Sequence, residues 1–125
     1  MKLGDVRFAE HDRFLVAHLT GEVDMSNAER IGEAIVETVS NRELGLILDF
    51  SALRYLDSAG IQVVFRLREQ LRTRGQTLTI VIPAESASAD AIRLAGVTPR
   101  IDSFEALEDA LRSLSSEQPD AAPRT

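Results

Sequence analysis

Cysteine is absent from this 125-residue chain, which excludes a disulfide framework and any thiolate metal site. Tryptophan is absent too, and aromatic residues make up only 5 %, so the core must be aliphatic. Histidine occurs only as His11 and His18, and lysine only as Lys2. Basic residues are outnumbered, 14 against 20 acidic ones, for a net charge of −6. An acidic chain with so few aromatics is a poor nucleic-acid binder, so no direct nucleic-acid contact is expected. No apolar run approaches the roughly 20 residues that cross a bilayer, so no membrane association is expected. The first residues, MKLGDVRFAEHDR, lack the apolar stretch of a signal peptide, and the expected location is the cytoplasm.

What is present is an ordinary globular mixture, 44 % apolar and 27 % charged. The length suits one domain with its own core. Val6 to Glu10 and Phe14 to Val23 read as strands joined by a short polar link, hence an antiparallel hairpin. Ser26 and Glu29 are spaced as a capping box, which predicts a helix start with Ala28, Ile31, Ile35 and Val39 as its apolar stripe. LGLILDF, Leu44 to Phe50, is nearly all apolar and suits a strand buried on both faces. SALRYL reads as a loop, followed by a second helix with Gly60, Val64, Leu67 and Leu71 on its stripe, Ile61 and Phe65 beside them, and Gly75 at its end.

TLTIVIP, Thr77 to Pro83, is a β-branched strand stopped by proline. Ala87, Ala91, Leu94 and Ala95 predict a short helix ending at Gly96, and Arg100 to Ser103 a short strand. Phe104, Leu107, Leu111 and Leu114 predict a final helix. The domain is placed at residues 1–114, with the polar, proline-containing residues 115–125 expected to be a disordered tail. The fold class is α/β: a mixed, mostly parallel sheet of four to five strands that opens with an antiparallel hairpin, with about four helices packed on it. In such sheets function gathers where strands end and helices begin. LDSAG, Leu56 to Gly60, lies at one of those places.

Four chemistries compete for LDSAG and its surroundings. A nucleophilic Ser58 would need a glycine two residues earlier and a general base; Leu56 stands there, and the two histidines both belong to the opening hairpin. A phosphorylated Asp49 would need an acidic pair after the first strand and a lysine on the last, and neither is found. Glu22, Asp24, Asp49 and Asp57 match no spaced ligand loop, so no metal is expected and loop or cap roles are assigned to them. The last reading makes Ser58 a substrate: Asp57 caps the helix, Ser58 occupies its first position, the free amides and dipole there would tolerate a phosphate, and Gly60 leaves a kinase or partner room for close approach. Against it stands the plainer view that Asp57 and Ser58 merely cap and that Gly60 merely packs. The residues alone leave both open.

DFSALRYLDSAG, Asp49 to Gly60, resembles the signature of STAS domains, and more narrowly that of bacterial anti-sigma factor antagonists. TGEVDMSNAERI, Thr20 to Ile31, is similar to the family's second motif, and LAGV, Leu94 to Val97, fits its closing segment. The resemblance extends to about Leu114. It implies the STAS fold and a role without catalysis and without a cofactor. Ser58 would be phosphorylated by an anti-sigma factor that is also a serine kinase, and a PP2C-type phosphatase would reverse the mark. The unphosphorylated antagonist would bind the kinase and so release the sigma factor for transcription. The implied partner surface comprises Gly21, Glu22, Asp24 and Ser26 with Asp57, Ser58, Ala59, Gly60 and Ile61, on a monomer or weak dimer. Ala59 departs from the family's serine or threonine and leaves Ser58 as the one hydroxyl in LDSAG; Ile61 and Gln62 depart from its Leu-Gly. The alternative is a STAS scaffold or accessory subunit of a signalling or lipid-transport complex, without phospho-switching.

Overall fold

The computed structural model describes residues 4–86, 88–97 and 99–117. The chain opens with strands β1 (Asp5–His11) and β2 (Phe14–Val23), which pair antiparallel from Asp5↔Thr20 to His11↔Phe14. The turn between them puts Asp12 at a φ of 57°, a conformation that aspartate tolerates better than most side chains. Helix α1 (Ala28–Thr38), strand β3 (Gly45–Leu56), helix α2 (Ser58–Thr73) and strand β4 (Thr77–Val81) follow. Helix α3 (Ala89–Leu94), strand β5 (Asp102–Phe104) and helix α4 (Leu107–Glu117) complete the described chain. The five strands lie in the order β1-β2-β3-β4-β5, all parallel after the first pair. This is the mixed α/β sheet with an opening hairpin that the sequence predicts.

Strand alternation divides the core. Leu15, Ala17 and Leu19 of β2, with Leu46, Leu48 and Phe50 of β3, face a layer built by Ile31 and Ile35 of α1, Val64, Leu67 and Leu71 of α2, and Ile92 of α3. Phe14 and Val16 of β2, Ile47 of β3 and Val81 of β4 face the other way, against Ala110 and Leu114 of α4. Both faces of β3 are therefore covered in its first half, as its apolar run predicts. Helix α2 ends on Gly75, whose φ of 74° suits a residue without a side chain.

Several sequence expectations need correction. SALRYL is not a loop but the second half of β3, which stays paired with β2 through Tyr55 and Leu56 after β4 has ended opposite Asp49. Its polar character reflects loss of cover on one side, since Ser51, Ala52, Arg54 and Tyr55 are exposed while Leu53 and Leu56 stay buried. In α3 the buried residues are Ala89 and Ile92; Leu94 is 88 % exposed, and Ala91 and Ala95 are not buried, so the predicted stripe is rotated. Ala87 lies outside the described residues. The last strand runs from Asp102 rather than Arg100. Helix α4 continues to Glu117, and the expected tail beyond it lies outside the described residues.

Candidate functional site

The ends of β2 and β3 extend together beyond the rest of the sheet, and the chain leaves both toward helices. Asp57 joins the two exits. Its amide donates to Val23 O at 3.2 Å. Its Oδ1 accepts from the amides of Ala59 (2.9 Å) and Gly60 (3.2 Å), which caps α2. Its Oδ2 accepts from the amide of Met25 at 3.2 Å, which fixes the loop before α1. Ser58 is exposed at the first position of the helix, next to this carboxylate. The amides gathered there carry the positive end of the α2 dipole.

The loop before α1 is organised differently from the capping box that the sequence predicts. Ser26 does not cap the helix: its amide (2.9 Å) and hydroxyl (2.6 Å) both donate to Asp24 Oδ1. These bonds, the hydroxyl's foremost, hold the Asp24 carboxyl below the usual carboxylate range. The residue that precedes α1 is Asn27, which is 4 % exposed and turns its side chain back into the loop. Its Oδ1 accepts from Asp24 N at 3.0 Å, and its Nδ2 donates to Glu22 O at 2.9 Å. The Ser–x–x–Glu spacing is present, but the carboxylate two residues upstream takes both of the serine's donors. Asn27 is thus a site-building residue that the motif reading missed. The sequence signal for it is an asparagine just ahead of a helix, where its side chain readily bonds nearby backbone groups.

The structure sorts the nine residues of the implied partner surface. Ser26 and Ser58 are exposed, and Glu22, Asp24 and Asp57 are half-buried around them. Ala59 and Ile61 are half-buried with their apolar parts against the core. Gly21 is buried at a β2 irregularity with a φ of 78°. Gly60 is buried as well, and a Cβ there would strike Leu56 Cδ1 and come within 3.1 Å of Val23 Cγ1. Its small size serves packing beneath the helix start, which is the plainer of its two readings. Two residues outside the implied surface stand beside it: Met25 is 83 % exposed and Tyr55 49 % exposed.

A second polar cluster lies lower on the sheet face that α4 covers in part. His18 Nδ1 lies 2.8 Å from Asp49 Oδ2, and Asp49 Oδ1 accepts from the amide (3.0 Å) and hydroxyl (2.6 Å) of Ser51. Serine, aspartate and histidine meet here, but the hydroxyl donates to the carboxylate. A nucleophilic serine must donate to the imidazole instead. Asp49 accepts a nearby backbone amide, but from within β3 rather than from the loop or cap position expected of it. Among the described residues no group of three or more histidine, cysteine or acidic side chains is placed to hold a metal ion. No described helix is long and apolar enough to cross a membrane.

The family model of the STAS domain matches residues 5–110. The chain is 31 % identical over 107 residues to the anti-sigma-F factor antagonist RsfB of Mycobacterium tuberculosis, covering 85 % of each chain. A crystal structure of an anti-sigma factor antagonist from Mycobacterium paratuberculosis superposes with a TM-score of 0.76 at 27 % identity, covering 89 % of this chain and 93 % of that one. The phosphorylated form of the Bacillus cell fate determinant SpoIIAA has a TM-score of 0.67 at 20 % identity, over 88 % of this chain and 99 % of its own, and shares the fold. With the α2 start and its Asp57-centred exit loops in place, the chain belongs to the STAS domain family, among the anti-sigma factor antagonists.

Proposed function

We propose that the protein is a partner-switching antagonist that binds an anti-sigma factor with serine-kinase activity and is released when that kinase phosphorylates Ser58. The observation that carries this reading is an exposed serine at the first position of a carboxylate-capped helix, with no other hydroxyl in LDSAG. A phosphate there adds about −2 of charge and three strong acceptors. The helix start tolerates that charge, so the fold persists while the surface changes. A bulky, strongly hydrated group then stands where the unmodified surface offers one small hydroxyl, beside the carboxylate of Asp57. Freed kinase would recapture its sigma factor, and a PP2C-type phosphatase would reset the antagonist. The role needs no catalytic group or cofactor in this chain.

The test is incubation with the purified anti-sigma kinase of the same genome and ATP, read by intact mass. One phosphoryl group should be gained by the parent and none by Ser58→Ala. A parent that gains nothing, or a Ser58→Ala variant that still gains one, refutes Ser58 as the acceptor. In calorimetry, Ser58→Glu should bind the kinase at least about tenfold more weakly, a loss of about 1.4 kcal/mol. Equal affinity argues against control by charge at this position.

A further inference from the structure

Exposed large apolar side chains are few here: among the described residues they are Met25, Tyr55 and Leu94. Leu94 stands apart at the end of α3. The other two are each connected to the Asp57 junction. Met25 is tied to it through its own amide, and Tyr55 lies two residues upstream on β3, opposite Glu22 of β2. Neither side chain is needed by the core, and neither belongs to the partner surface that the family resemblance implies. An 83 % exposed methionine whose backbone is pinned at 3.2 Å is presented outward rather than left loose. Presentation of that kind lowers the ordering cost of an interface.

We infer that Met25 and Tyr55 are the apolar anchors by which this chain docks its kinase, and that the kinase offers them an apolar seat ringed by basic side chains. This deepens the phospho-switch reading and rests on it. The two residue types divide the work. Methionine adapts to an irregular apolar seat, and tyrosine brings a large, rigid ring with a polar tip. The basic ring follows from charge. Glu22 pairs with Tyr55 across the strands, Asp57 accepts from the Met25 amide, Asp24 precedes Met25 and is held ionised by Ser26, and the whole chain carries −6. Exposed Arg54 is the cation next to Tyr55 in sequence. Complementary charge at a rim mainly speeds encounter, while apolar anchors set the dissociation rate.

The arrangement also identifies what a phosphate on Ser58 does. A basic rim would attract it, so release cannot come from charge at the rim. It comes from bringing a strongly hydrated dianion into an interface built on apolar anchors, where it would have to be stripped of water.

The experiment uses the full chain and the purified kinase that modifies Ser58, with affinity from calorimetry and association rates at two salt concentrations. Met25→Ala and Tyr55→Ala should each weaken binding about tenfold or more, with melting temperatures unchanged because both side chains are exposed. Leu94→Ala should bind as the parent does, and added salt should slow association. If both anchor variants bind as tightly as a parent that is itself bound and phosphorylated, the anchors are refuted and the phospho-switch stands. Association that is indifferent to salt overturns the basic rim. A parent that neither binds nor accepts phosphate removes the underlying reading, and the docking surface with it.

Discussion

Asp57 shows how much one side chain can do when its two oxygens face different elements. Oδ1 closes the start of α2 and Oδ2 holds the loop before α1, so one carboxylate sets the position of Ser58 relative to Met25. Glu43 is the opposite case, a carboxyl whose surroundings disfavour its charge. It is 8 % exposed, and burial raises its pKa above the ordinary 4.5, with a hydrogen bond to the Glu10 side chain adding to the rise while Arg42 and Arg13 oppose it. A carboxyl with a raised folded-state pKa stabilises the fold fully below 4.5 and loses that contribution as the pH climbs through the raised value. Glu43→Gln does not titrate, so it should melt higher than the parent at pH 7, and the margin should close as the pH is lowered toward 4. Parallel melting temperatures across that range would show that Glu43 carries no such penalty.

At the scale of elements, the site depends on β3 outrunning β4. Pairing with β4 stops at Asp49, whereas pairing with β2 continues to Leu56 through two register shifts. This half-covered extension delivers the chain to α2 at the height of the β2 exit. The contact that fixes the α2 start against it is Gly60 over Leu56 and Val23. Gly60→Ala would insert a methyl group where both neighbours already stand, and overpacking of that kind costs about 1–3 kcal/mol. Urea denaturation should register that loss with an unchanged m-value. A variant as stable as the parent would mean that the helix start shifts freely, and the rigid presentation of Ser58 would go with it.

For the whole molecule, the sheet has one face under three helices and the other under α4 alone. That second layer is small, yet it covers Phe14, Val16, Ile47 and Val81, each at most 5 % exposed. Burial of such a side chain is worth about 1.5–3 kcal/mol. A domain's total stability is only about 5–15 kcal/mol. Truncation before Leu107 should therefore leave a chain that binds a hydrophobic dye and has lost its cooperative thermal transition. A sharp transition in the truncated chain would show α4 to be dispensable. The Ser58 surface lies among residues that pack with the three-helix layer, so modification there and stabilisation by α4 involve separate parts of the molecule.

The sequence by itself determined the order of elements, the hairpin, the doubly buried first half of β3 and the capped serine. Each of those is written in local patterns: alternation, helical spacing, β-branching, and an aspartate ahead of a helix. Tertiary structure decided the rest. SALRYL reads as a loop because its exposure mimics one, and only the partner strand β2 makes it β-structure. Ser26 has the spacing of a cap, but Asp24 takes its donors, and Asn27 orders the loop instead. Gly60 fits both an open approach and a tight packing site until Leu56 and Val23 fill the space. Met25 carries no sign of its exposure in its own sequence, because what it leaves uncovered depends on an aspartate 32 residues away. Local patterns fix local structure, whereas competition for a hydrogen bond or a cavity is settled by groups that only folding brings together.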